Sequence, residues 1–178
     1  DLKGILAFST VSQLGFLIGY YGLSPARGVD FDYLHIINHV FYKGCLFMVA
    51  GIVDHAAGTR DIRKLGGLWK RAPLLGVIAL VACASMAGLP GTTGFLSKEY
   101  TLKEFFKVFG EHGALGWYAL GAVLLASLIK VAFSVRLFHG VFLGPESDAV
   151  KQHFHAPATG MLIPPLLLAG AVLFFGLV

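Results

Sequence analysis

Five apolar runs follow one another along this 178-residue chain, at about residues 5–23, 31–53, 73–109, 115–138 and 158 onward, with short polar connections between them. In hydrocarbon a backbone amide has no water to pair with, so a spanning segment satisfies its own backbone by folding as a helix. About 20 residues at 1.5 Å each match the thickness of a bilayer core. The expected fold class is therefore all-α: a polytopic transmembrane helical bundle of about five spans. Composition agrees, with 56% hydrophobic and 13% charged residues and a mean hydropathy of +0.74, outside soluble globular usage. The chain opens on Asp1, carries no basic leader or small-residue cleavage site, and stops within an apolar run. It reads as a single internal fragment, residues 1–178, of a longer protein.

The third run breaks the pattern. As one helix, residues 73–109 would reach about 55 Å, too long for a bilayer even when tilted. The sequence interrupts it with GLPGTTG, containing Gly88, Pro90, Gly91 and Gly94. Proline removes a backbone donor and glycine permits dihedrals foreign to helices, which predicts a discontinuous helix broken near 88–94. Unwound backbone at membrane depth has to be buried in protein or line a wet cavity. The alternative is an ordinary span ending near Ala87, followed by an interfacial amphipathic helix that keeps Lys98, Lys103 and Lys107 in water.

The second run holds the main chemistry. In HIINHVFYK, His35, His39 and Lys43 stand at i, i+4 and i+8, so they share one helix face at a rise of about 6 Å each, with Asn38 beside them. Lys43 falls near the middle of the span, where a charged group costs roughly 2.5–3.5 kcal/mol on insertion scales. Desolvation disfavours an ammonium and histidine titrates near neutral pH, so the stripe has the chemistry of a proton relay. Lys98, directly after the break, offers a second station. Interhelical hydrogen bonding without proton movement is the structural alternative.

Further polar groups sit in the apolar runs. Ser9, Thr10, Ser12 and Gln13 are too many for a lipid-wrapped helix, so they pack between helices or, for Ser9, Ser12 and Gln13, hold waters of a proton path. Lys130 lies deep in the fourth run, as a further carrier or a lysine facing a partner helix, while Arg136 is near enough to its end to snorkel. Cys45 and Cys83 are far apart inside apolar runs and read as small buried side chains. His139, His153 and His155 lack cysteines or clustered carboxylates to complete a metal site. A turn with Ser24, Pro25, Gly28 and Asp30 separates the first two spans.

Residues 54–72 form a basic loop with Arg60, Arg63, Lys64, Lys70 and Arg71 against Asp54 and Asp61. By the positive-inside rule it is cytoplasmic. With five crossings, Lys3, Arg136 and Lys151 join that side, opposite Arg27, Lys103 and Lys107. Basic loops between spans have this topological reason for their charge, so no nucleic-acid partner is expected. No cofactor, catalytic set or metal is expected either: the chain has no dinucleotide-binding glycine fingerprint after a strand, no Walker loop and no cysteine cluster.

Four ordered motifs, DLKGILAFSTVSQLG, HIINHVFYKGCLF, GTRDIRKLGGL and GLPGTTGFLSKE, resemble the second half of the antiporter-like proton-translocating module shared by Mrp multisubunit sodium/proton antiporters, respiratory complex I and membrane-bound hydrogenases. The resemblance extends to about Phe142, and AGIVDHAAGTRDIRKLGGL is most similar to the large A subunits of the Mrp antiporters, with the complex I homologue as the alternative. It implies a prokaryotic plasma-membrane location, H⁺ and Na⁺ as transported ions, and other membrane subunits as partners. It also implies that His35, His39 and Lys43 match the central channel helix and Lys98 the lysine of the discontinuous helix. Gly91 stands where the family often has proline, Lys130 matches no family position, and the module's glutamate–lysine pair is expected upstream of Asp1. The fragment is thus expected to hold half of a channel.

Overall fold

A computed structural model describes residues 1–23 and 29–177. The elements are α1 (Leu2–Leu23), α2 (Val29–Ala57), a 3₁₀ turn (Ile62–Lys64), α3 (Leu68–Arg71), α4 (Pro73–Ala87), α5 (Thr93–His112), α6 (Ala114–Phe142), α7 (Asp148–His153) and α8 (Thr159–Leu177), with no strand among the described residues. Among the described residues four of these helices are long and apolar enough to cross a membrane, and α4 is a shorter apolar helix. The turn predicted at Ser24, Pro25 and Gly28 lies outside the described residues. The second span runs past its expected end, because Gly58 at φ 65° donates its N–H to the Asp54 carbonyl at 3.0 Å and closes the helix there.

α2 is the hub. Tyr42, Cys45, Leu46, Val49 and Val53 pack with Ile78, Ala79, Ala82 and Met86 of α4 and with Ala169 and Val172 of α8. Small residues let these backbones approach, as packing between membrane helices requires. Both cysteines are buried as expected, with free thiols. Cys45 Sγ donates to the Pro165 carbonyl at 3.4 Å, next to the two prolines inside α8. A smaller cluster of Leu17, Tyr20, Phe105 and Val123 joins α1, α5 and α6. Phe8, Leu128, Leu167 and Phe174 point outward, as side chains facing lipid or a neighbouring chain do.

The basic residues gather at one end. Leu2 N–H bonds the Arg60 carbonyl at 2.9 Å, Lys3 pairs with Asp54 at 2.9 Å, and Arg60 approaches Asp1 at 3.3 Å. Gly67 N–H reaches the Leu143 carbonyl at 3.2 Å and Arg71 pairs with Glu146. The starts of α1 and α4 and the ends of α2 and α6 therefore lie together. Asp61 caps the 3₁₀ turn by accepting from Arg63 N–H at 3.0 Å. The Arg63 guanidinium, and then that backbone bond, hold its carboxyl down at about 2.

Candidate functional site

The site forms where α2 faces the interrupted crossing. α4 ends in a Schellman motif: Gly88, at φ 80°, donates to the Ser85 carbonyl at 3.0 Å, and Leu89 donates to the Ala84 carbonyl at 3.0 Å. Pro90 and Gly91 turn the chain, and α5 begins at Thr93. A Cβ on Gly94 would overlap the Ser85 carbonyl, and one on Gly176 would overlap the Thr92 backbone. The start of α5 therefore rests directly on the end of α4, with α8 closing the outer side. This is the discontinuous helix expected from GLPGTTG. α5 packs on α2, α6 and α8, which favours this reading over a helix lying at the membrane surface.

Asn38 ties the break to α2. It is 2% exposed, and its Oδ1 accepts from Ser85 Oγ at 3.1 Å and Thr93 Oγ1 at 2.8 Å. Gly94 N–H in turn donates to Ser85 Oγ at 3.1 Å. One of the amides in the first turn of α5 that needs a partner thus finds it in α4. Sequence reading did not single out Ser85, Thr93 or Tyr42. Ser85, a lone hydroxyl late in a very apolar helix, was the available signal.

The predicted stripe is buried. His35 and Lys43 are 5% and 4% exposed, and His39 is half-buried. His35 Nδ1 lies 3.2 Å from Ser97 Oγ on α5. Lys43 Nζ donates to Ser9 Oγ of α1 and lies 4.0 Å from Met86 Sδ. His39 Nε2 and the Tyr42 hydroxyl are buried without a protein hydrogen-bond partner among the described residues, and the two rings meet edge-on at 5.4 Å. Lys98 Nζ lies 3.5 Å from the Ala87 carbonyl, at the partially negative C-terminus of α4 where a cation is favoured.

Lys130 of α6 joins this group. Its Nζ donates to Gln13 Oε1 at 3.0 Å and stands 5.4 Å from the Tyr42 ring centre. Lys43 Nζ is 6.0 Å from the same ring, so one aromatic contacts both cations. A cavity of about 50 Å³, whose lining includes Gln13, His35, Asn38, Ser97, Lys98 and Lys130, has room for a few ordered waters. Among the described residues its lining holds three basic groups and no carboxylate. Glu99 is turned away in an exposed pair with Lys103 at 2.7 Å.

The structure thus brings His35, Asn38, Lys98, Gln13 and Lys130 around one space, with His39 and Lys43 adjoining on α2. Ser9 reaches the site through Lys43, whereas Ser12 is exposed on α1. Gly88, Pro90, Gly91 and Gly94 all lie at the break. The three histidines considered for a metal are not drawn together: His155 stacks edge-on against His55 at 5.3 Å, while His139 lines a different cavity with Arg63 and Arg136.

Residues 1–138 match a protein family described as NADH:quinone oxidoreductase/Mrp antiporter, transmembrane. The A subunit of the Na⁺/H⁺ antiporter of Alkalihalophilus pseudofirmus is 42% identical over 99% of this chain and 24% of its own length. The A/B subunit of a probable K⁺/H⁺ antiporter of Rhizobium meliloti is 39% identical over 100% of this chain and 18% of its own. The chain spans about a quarter or less of the curated relatives it matches. Among solved structures, the Mrp complex from Dietzia sp. DQ12-45-1b is similar with a TM-score of 0.79 and 36% identity, over 98% of this chain and 18% of that one. The membrane-bound sulfane sulfur reductase, an archaeal respiratory membrane complex, shares the fold with a TM-score of 0.85 and 24% identity, over 99% of this chain and 28% of that one.

Proposed function

The chain belongs to the NADH:quinone oxidoreductase/Mrp antiporter transmembrane family, and from that premise we propose that it is the proton-conducting part of the large A subunit of an Mrp-type monovalent cation/proton antiporter. Protons pass through waters along His35, His39 and Lys43 to Lys98, and the Asn38–Ser85–Thr93 cluster holds the break that governs access. One observation carries the reading: His35 of the α2 stripe and Lys98 of the broken crossing line one small cavity inside an apolar bundle. Sodium is the expected counter-ion. Relatives named for Na⁺ and for K⁺ match this segment at similar identity, which supports assigning proton rather than cation choice to these residues.

The partners are other membrane subunits of the same complex and the lipid bilayer, met by the outward apolar faces of the helices. The location is a prokaryotic plasma membrane with residues 54–72 in the cytoplasm, a reading supported by the gathering of basic side chains at one end. The fold shared with a respiratory complex favours one second reading, a proton-pumping subunit driven by redox chemistry elsewhere.

The test is cation-dependent proton exchange in inverted vesicles carrying the intact complex. Lys43→Ala and Lys98→Ala, at equal assembled protein, are each expected to lower exchange at least tenfold. Undiminished exchange in both would make the stripe structural. Proton movement that follows an electron donor instead of added Na⁺ or K⁺ would select the second reading.

A further inference from the structure

Two spaces meet at one side-chain pair. A groove of about 530 Å³ runs between α1 and α6, from Asp1, Gly4 and Ile5 at the basic end to Ser9, Ser12, Gln13, Ile129, Lys130 and Phe133. The small cavity at the helix break lies beyond it, and Gln13, Ala126 and Lys130 line both spaces. The Lys130–Gln13 hydrogen bond of 3.0 Å is the polar part of the wall between them. Ser9, Ser12, Gln13 and Lys130 place polar atoms that can hold water along one side of the groove, while Phe8 and Phe133 keep the rest apolar.

We propose that Lys130 and Gln13 form a proton-transferring gate between the groove, which reaches the basic end, and the cavity at the broken helix. This deepens the relay reading above and rests on it. An ammonium N–H of Lys130 gives its proton to a cavity water, which passes it to a neutral base, His35 or Lys98. The amine that remains takes a proton from a groove water, so the N–H bond broken on one side is replaced from the other. Gln13 Oε1 holds the charged form more strongly than the neutral one, so loss of the proton frees the side chain to turn. The titratable groups facing Lys130 are His35, His39, Tyr42 and Lys43 of α2 and Lys98 of α5, with Asp1 at the far end of the groove. The groups around Lys130 are therefore mostly basic.

Lys130→Arg separates this role from a structural one. Guanidinium keeps the charge and the hydrogen bond to Gln13 but does not release a proton. In the intact complex in inverted vesicles, Lys130→Arg and Lys130→Gln are both expected to lose at least tenfold in exchange. Gln13→Glu, which fixes the ammonium as an ion pair, is expected to lose as much with normal assembly. Exchange restored by Lys130→Arg would overturn the gate, as would wild-type exchange in Gln13→Glu should the Lys130 variants fail to assemble. The two readings fail differently: an active Lys43→Ala overturns the relay, whereas an inactive Lys43→Ala beside an active Lys130→Arg overturns the gate alone.

Discussion

Asn38 joins α2 to both halves of the broken crossing. Its carbonyl oxygen receives hydroxyls from both halves of the broken crossing, in a setting where an unpaired buried hydroxyl costs about 1–3 kcal/mol. Asn38→Leu leaves Ser85 and Thr93 without that acceptor. The assembled complex is expected to lose stability by about that range, read as a lower aggregation midpoint on heating after solubilisation. In a Ser85→Ala/Thr93→Val background the same change should cost far less, because the two hydroxyls that donate to Asn38 are already gone. Equal losses in both backgrounds would show that Asn38 acts through some other contact. The residue was visible in the sequence as a polar neighbour of the stripe, since helical periodicity gives faces. Its partners were not, because Ser85 lies 47 positions away and Thr93 lies 55 away, and periodicity says nothing across that distance.

The interrupted crossing depends on close contacts between backbones. Gly91 and Gly94 look alike in GLPGTTG, yet they do different things. Gly91 has φ 81°, and a Cβ there would meet a Leu177 methyl at an ordinary contact distance of 3.7 Å, so Gly91→Ala costs backbone strain of about 1–2 kcal/mol. Gly94 is helical, and its missing Cβ would overlap the Ser85 carbonyl, which cannot yield without separating α4 from α5. Gly94→Ala is therefore expected to abolish assembly or exchange, while Gly91→Ala retains most of both. Immunoblots of assembled complex and exchange rates in the same membranes check the order, and the reverse order would misplace the contact. The interruption itself was legible because proline and glycine act locally on the chain. The seat of α5 on α4 was not, since a contact made by having no side chain leaves no pattern to read.

For the whole molecule, the apolar run lengths foretold five crossings, and the helices follow them with ends shifted by a few residues. They did not foretell the groove between α1 and α6, because periodicity ranks faces without saying which neighbours stand apart. Sidedness is a separate question, and charge addresses it. Lys3, Arg60, Arg63, Lys64, Lys70 and Arg71 share one end through contacts of α1, α2 and α6 with the loop, whereas Lys103 lies beyond the break on α5. A translocated basic cluster is disfavoured, so the expected orientation has the Lys64 end in the cytoplasm and the Lys103 end outside. Cysteine substitution separates the two, because Cys45 and Cys83 are both buried while Lys64 is exposed and the Lys103 side chain is 60% exposed. A membrane-impermeant maleimide should label Lys64→Cys in inverted vesicles but not in intact cells, and Lys103→Cys with the opposite preference. The reverse pattern would put the groove beside Lys130 in contact with the outside, and the direction in which the gate loads would reverse with it.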